Sequence, residues 1–161
     1  MSERHVRISL EAQRLNLLED DDVVESYPVS TSKHGPGEQT DSYQTPRGRH
    51  IIRAKIGAGE PEGAVFKGRR PTGEIYSDAL ARLHPERDWV LTRILWLSGT
   101  EVERNRLGAV DSMRRLIYIH GTPPSEPLGV ARSVGCIRMS NADIVKLFDL
   151  VVPGTVVEIQ A

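Results

Sequence analysis

The 161-residue chain has a single cysteine, Cys136, so no disulfide can form within it. Aromatic residues are few, two Trp, four Tyr and two Phe. Neither sign of charge dominates: 21 Lys and Arg face 22 Asp and Glu for a formal net charge of -1. That balance removes the general pull toward nucleic acid or an anionic membrane, and neither is expected as a partner. No apolar run approaches the length of a membrane-crossing helix. The five histidines, His5, His34, His50, His84 and His120, are scattered without CxxC, HxxxH or HExxH spacing, so neither a metal nor another cofactor is expected.

The opening run MSERHVRISL lacks the apolar stretch of a secretory signal. With Met1 as the native start the expected location is the cytoplasm; with a trimmed N-terminus it is the periplasm. The length suits one compact domain over residues 1–161.

Partial alternation of apolar and polar residues predicts strands over Arg4 to Leu10, Gln13 to Leu18 and Val23 to Ser30, an opening meander. A Gly-, Pro- and Ser-rich loop follows from Thr31 to Thr45, then a strand from His50 to Ile56. Gly57 to Gly73 is rich in Gly, Pro and charge and reads as a long surface excursion. Trp89 to Leu97 is expected to be a core strand, with Trp89 and Trp96 as packing residues. Near the end, Ser140 with Asp143 has the form of a capping box, and Ile144, Leu147, Phe148 and Val151 recur at helical spacing. This predicts a helix from Asn141 to Leu150, stopped by Pro153-Gly154 and followed by a strand from Thr155 to Gln160. About seven strands and one short C-terminal helix indicate a mainly β fold, sandwich-like or barrel-like.

The chemistry concentrates around Cys136, in Ser133-Val134-Gly135-Cys136-Ile137-Arg138, and around His120-Gly121, at the end of the alternating segment Leu116 to His120. A thiol attacks as its thiolate, and a neighbouring imidazole is the common means of taking its proton. Free cysteine is also among the most buried residue types, and a histidine can simply end a strand. From residue type and spacing, a nucleophile and base pair and a purely structural pair stand level. His34-Gly35 repeats the His-Gly pair, but inside a turn from Ser32 to Gly37.

His120-Gly121 followed by Ser133, Gly135-Cys136 and Arg138 resembles the active-site signature of the L,D-transpeptidase catalytic domain family (YkuD-type), His-Gly and then Ser/Thr-His-Gly-Cys-x-Asn/Arg. Thr45-Pro46-Arg47-Gly48 is similar to the family's Thr-Pro-x-Gly segment, and Tyr27 to Thr31 to the strand before it. The resemblance implies a β-sandwich catalytic domain in which Cys136 is the nucleophile, His120 the base and the Gly121 backbone carbonyl the group that orients His120. Gly135, with backbone N–H groups near Cys136, would favour the thiolate and hold an oxyanion. Arg138 and Ser133 would face substrate, with a structural ion pair as the competing role for Arg138. Val134 departs from the pattern, standing where the family has a second histidine.

The substrates so implied are peptidoglycan stem peptides or muropeptides, cut between diaminopimelate and terminal D-alanine through a thioester on Cys136. Water as acyl acceptor gives an L,D-carboxypeptidase that trims tetrapeptide to tripeptide in muropeptide recycling, the reading a cytoplasmic location favours. An amine of a second stem gives a 3,3-cross-linking transpeptidase. Loss of the second histidine at Val134 leaves a catalytically dead stem-binding domain as a third reading.

Overall fold

The structure, a computed structural model, describes residues 3–161. Its first three strands, β1 (Arg4–Ser9), β2 (Arg14–Glu19) and β3 (Asp22–Pro28), form the expected antiparallel meander. The last strand, β10 (Val156–Gln160), lies parallel to β1 and antiparallel to β4 (Gly48–Ile56), which carries the sheet on to β7 (Val90–Gly99). Two strands share one edge of β7, β4 against its later residues and β5 (Ala64–Lys67) against Val90 and Leu91. The opposite edge of β7 takes β8 (Tyr118–Gly121), to which β9 (Ile137–Met139) is added in parallel. A bridge between Ser30 and Arg138 then brings the segment after β3 back against β9. The sheet therefore turns around on itself, in the barrel-like manner expected for a mainly β chain.

The interior is mainly aliphatic, with Tyr27 and Phe148 among its buried residues. Val6, Ile8, Leu15 and Leu17 from the meander meet Ile52, Leu95, Leu97, Ile119, Ile137, Met139, Val157 and Ile159 in one cluster. Helix α2 (Asn141–Leu150) covers it with Ile144, Leu147 and Phe148, and Ser140 Oγ accepts the Asp143 N–H as the N-cap at 3.1 Å. Trp89 is buried and packs edge-on to Tyr76, whereas Trp96 is half-buried with the Arg53 and Arg69 guanidiniums over its ring.

Two expectations need correction. The excursion from Gly57 to Gly73 is in part a hairpin, β5 paired with β6 (Arg70–Ile75). Its two-residue turn, Gly68 and Arg69, has φ of 56° and 64°, the left-handed pair that matches the twist of adjoining strands. Pro71 and Gly73 argued against a strand, but β6 is the edge of the sheet, where a missing N–H costs no ladder bond. A further helix, α1 (Asp78–Leu83), was not foreseen; none of its residues is fully buried, so no apolar stripe marked it, although Ser77 caps it.

One buried histidine ties β4 to the loop before β8. His50 Nδ1 donates to the Gly48 carbonyl at 3.1 Å and Nε2 accepts from Ser112 Oγ at 2.9 Å, the tautomer being set by the carbonyl, which can only accept. Burial pushes its pKa down to about 4. The folded state thus resists a proton that the unfolded chain takes up near pH 6.5, and stability is lost as pH falls from about 6.5 to about 4. Urea unfolding is expected to show a decline of about 3 kcal/mol at most from this group over that window. His50→Gln should flatten the slope; an unchanged slope in the variant would assign the effect elsewhere.

Candidate active site

The parallel register of β8 and β9 sets Ile119 beside Ile137 and His120 beside Arg138. Ile119, Ile137 and Met139 point into the main core, so the alternation of side chains sends Tyr118, His120, Cys136 and Arg138 to the other face. There Cys136 packs beside Tyr118, Phe66 and Ile94 in a smaller cluster. The sheet thus gathers residues 16 apart in sequence onto one surface.

The turn before Cys136 is held by hydroxyls. Ser133 Oγ donates to the Cys136 carbonyl at 2.6 Å and accepts the Gly135 N–H at 3.3 Å, while Thr45 Oγ1 donates to the Gly135 carbonyl at 3.0 Å and accepts the Ser32 N–H at 2.9 Å. Ser133 is 1% exposed, with its hydroxyl spent on this turn. Where a substrate-facing role was expected, the structure gives it a positioning one. Gly135 has a φ of 131°, which an L side chain rarely adopts, although a Cβ there would meet only ordinary contacts. Its N–H is already engaged by Ser133, so the glycine's contribution in this structure is its conformation and not a free oxyanion donor.

His120 is almost fully buried, and its Nδ1 donates to the Gly121 carbonyl at 2.7 Å. That bond fixes the proton on Nδ1 and leaves the Nε2 lone pair free to act as base. Gly121 is needed for close approach: a Cβ would come within 2.6 Å of the Leu91 carbonyl oxygen and 2.4 Å of Asn141 Oδ1. Opposite this step β7 bulges, Leu91 pairing with Gly121 and Ile94 with His120. Within the bulge Thr92 holds a φ of 74° and donates its Oγ1 to Asn141 Oδ1 at 2.6 Å. A left-handed β-branched residue is rare, and here it seats the first residue of α2 against the His-Gly step.

Burial moves the two titrating groups apart. It pulls the His120 imidazole below its ordinary pKa, with the Gly121 carbonyl and Asp88 acting the other way. It pushes the Cys136 thiol up to about 12, against which the Tyr118 N–H, donated to Sγ at 3.3 Å, works only in part. The thiol in turn donates to the Leu116 carbonyl at 3.2 Å. Backbone N–H groups were expected to favour a thiolate; desolvation outweighs them, and the resting pair is neutral thiol and neutral imidazole. Among the described residues no hydrogen bond joins Cys136 Sγ to the His120 ring: the S–H is held by the Leu116 carbonyl and Nδ1 by the Gly121 carbonyl.

Arg138 is 11% exposed at its side chain and pairs with Asp88 at 3.1 Å and Glu126 at 3.4 Å. The ion-pair role thus occupies the guanidinium as the structure stands, and a substrate carboxylate would compete with two of the protein's own. Val134 is exposed beside this group. Residues missed by sequence reasoning are Asp88, Glu126, Thr92 and Arg115. Arg115 fastens the loop leading to Thr45 by donating to the Gly37 and Gln44 carbonyls and Ser42 Oγ. Of the positioning groups Ser133 and Thr45 had a signal, in the Ser-x-Gly-Cys run and the Thr-Pro-x-Gly segment. Among the described residues no cluster of His, Cys, Asp and Glu could hold a metal ion.

A neutral resting thiol has a measurable signature. Iodoacetamide should alkylate Cys136 at a rate that is still climbing with pH beyond about pH 9, because the thiolate fraction has not saturated. A plateau near neutral pH would contradict the neutral pair.

The family model described as YkuD, L,D-transpeptidase catalytic domain, matches residues 3–159. A Bacillus licheniformis protein that carries the YkuD L,D-transpeptidase name is 28% identical over 155 residues, 96% of this chain and 64% of that protein. Among solved structures, an L,D-transpeptidase from Mycobacterium smegmatis superposes with a TM-score of 0.58 at 20% identity, covering 99% of this chain and 59% of that one. An L,D-transpeptidase from Xylanimonas cellulosilytica gives 0.60 at 22% identity, covering 98% and 60%. The chain therefore spans roughly three fifths of these relatives, whose fold it shares.

Proposed function

Since the chain belongs to the family of L,D-transpeptidase catalytic domains, we propose that it is a cysteine acyl-enzyme acting on peptidoglycan tetrapeptide stems, with water as the acyl acceptor. The observation that carries the reading is the His120 Nδ1 bond to the Gly121 carbonyl, which leaves Nε2 as a base on the face that carries Cys136.

The sequence of steps follows from those groups. His120 Nε2 takes the proton as Cys136 Sγ attacks the carbonyl carbon between diaminopimelate and terminal D-alanine, so that no free thiolate accumulates. The tetrahedral intermediate collapses as the imidazolium returns the proton to the leaving amine, releasing D-alanine and leaving a thioester on Sγ. His120 then deprotonates water, which attacks the thioester, and the sulfur leaves as a thiol. The products are a tripeptide stem and D-alanine, an L,D-carboxypeptidase reaction on soluble muropeptides in recycling, placed in the cytoplasm.

Water as acceptor follows from the recycling reading, in which soluble muropeptides are the substrates and no cell-wall polymer supplies a second stem amine. Purified protein incubated with disaccharide tetrapeptide should give tripeptide and D-alanine by mass spectrometry. Cys136→Ala and His120→Ala should each lower turnover by at least about a hundredfold, with melting temperatures close to the parent's. Cross-linked dimer as the main product would replace hydrolysis with 3,3-transpeptidation. No reaction in the parent protein would reduce the chain to a stem-binding domain.

A further inference from the structure

A cavity just past the end of β8, lined by Thr122 and Arg138, has a charge arrangement that the acyl transfer does not use. Its walls include Asp88, Trp89, Thr122, Glu126, Val134 and Arg138, around about 190 Å³. Arg138 lies between the two carboxylates, closer to Asp88 (3.1 Å) than to Glu126 (3.4 Å), and both acids are half exposed toward solvent. Independently, Thr122 is 2% exposed and its Oγ1 has no hydrogen-bond partner, while its N–H is given to the Met139 carbonyl. A buried hydroxyl without a partner is uncommon and costly, and one that lines a cavity points to a group that enters it.

The charges narrow what that group is. Two carboxylates on one guanidinium leave the cavity with an excess negative charge, so a simple anion must displace both acids before it can reach Arg138. A simple cation finds Asp88 and Glu126 already engaged by Arg138, and only the exposed Glu86 of the lining without an ion pair among the described residues. Nor is Arg87, which also lines the cavity, a free cation: it is paired to Glu74 at 3.1 Å and lies over the Trp89 ring. A zwitterion meets neither obstacle. Its carboxylate can take the place of Glu126 on Arg138, at the longer of the two contacts, and its ammonium can receive the Glu126 carboxylate so released. Asp88 keeps its hold on Arg138, and none of Arg138, Asp88 and Glu126 is left unpaired.

We propose that this cavity binds the zwitterionic end of an α-amino acid, with the carboxylate on Arg138, the ammonium on Glu126 and the Thr122 hydroxyl completing the contact. Two sources offer that chemistry, and naming them rests on the proposed function: the free amino acid end of the diaminopimelate side chain in a stem, and a free D-amino acid such as the released D-alanine. The binding itself does not depend on turnover.

The test uses the full chain and equilibrium titration by calorimetry or NMR. Meso-diaminopimelate and D-alanine are compared with pimelate, which lacks the ammonium, and with 1,5-diaminopentane, which lacks the carboxylate. At least one amino acid is expected to bind, with pimelate and the diamine weaker by about tenfold or more. Glu126→Gln and Thr122→Val should each weaken amino acid binding by about tenfold. Binding of diaminopimelate alone assigns the stem side chain, and binding of D-alanine as well assigns the free amino acid. Equal affinity for pimelate, indifference to both substitutions, or no binding of either amino acid at tens of millimolar would overturn the proposal. Hydrolysis of tetrapeptide without amino acid binding would remove this site and leave the proposed function standing; binding without hydrolysis would do the reverse.

Discussion

Everything chemical in this molecule depends on two very short strands lying parallel. β8 has four residues and β9 three, and neither would hold its register in isolation. Ile119, Ile137 and Met139 anchor them, all fully buried in the aliphatic core, where each such side chain contributes about 1.5–3 kcal/mol. A slip of one residue would turn these three outward and carry His120 and Cys136 into the core. The same burial that stabilises the sheet therefore also selects the face that carries the imidazole, the thiol and Arg138. The Ser30 bridge to Arg138 adds a second restraint on β9 from the opposite edge.

Burial also decides how the pair can react. Reactive cysteines are often kept as thiolates by exposed cationic surroundings, but here desolvation raises Cys136 and lowers His120. Neither partner is ionised at rest, so in the proposed reaction the nucleophile is generated as the thiol leaves the Leu116 carbonyl and gives its proton to Nε2. Arg115 and Arg138 lie near enough to favour negative charge on sulfur, yet both are already occupied, Arg115 by loop carbonyls and Arg138 by acids. Their fields are largely neutralised where they stand.

The main fold was legible where periodicity reports burial. The meander, β4, β7, α2 and β10 each have one face in the core, and their alternation or helical spacing follows from that. The hairpin of β5 and β6 was hidden because β6 is an exposed edge that tolerates Pro71, and α1 because nothing on it is fully buried. At the site, Cys136 and His120 could be proposed from residue type, and the motif resemblance raised them above a structural pair. The Gly121 carbonyl contact was implied by that resemblance and is present. Thr92, Asp88 and Glu126 gave no sign, since each reaches the site through tertiary contact with elements far away in sequence. A threonine at positive φ has no local marker, as its conformation is imposed by the bulge and not by its own preference.

That bulge shows how the site and the scaffold share one set of constraints. Thr92 in a left-handed conformation, a Thr122 hydroxyl without a partner and an imidazole withdrawn from water: each is unfavourable by about 1–3 kcal/mol, and all lie along β8 and its neighbours. They persist because the surrounding lattice leaves no alternative. Gly121 cannot move away from Leu91 and Asn141 without unseating α2, and α2 cannot move without opening the core at Ile144 and Leu147. The helix thus does more than cover apolar surface, for its first residue holds the His-Gly step against the bulge. Relaxing any one of these local costs would require breaking the cooperative packing that the same elements provide, and in this way a small aliphatic core can keep a strained, desolvated active site in place.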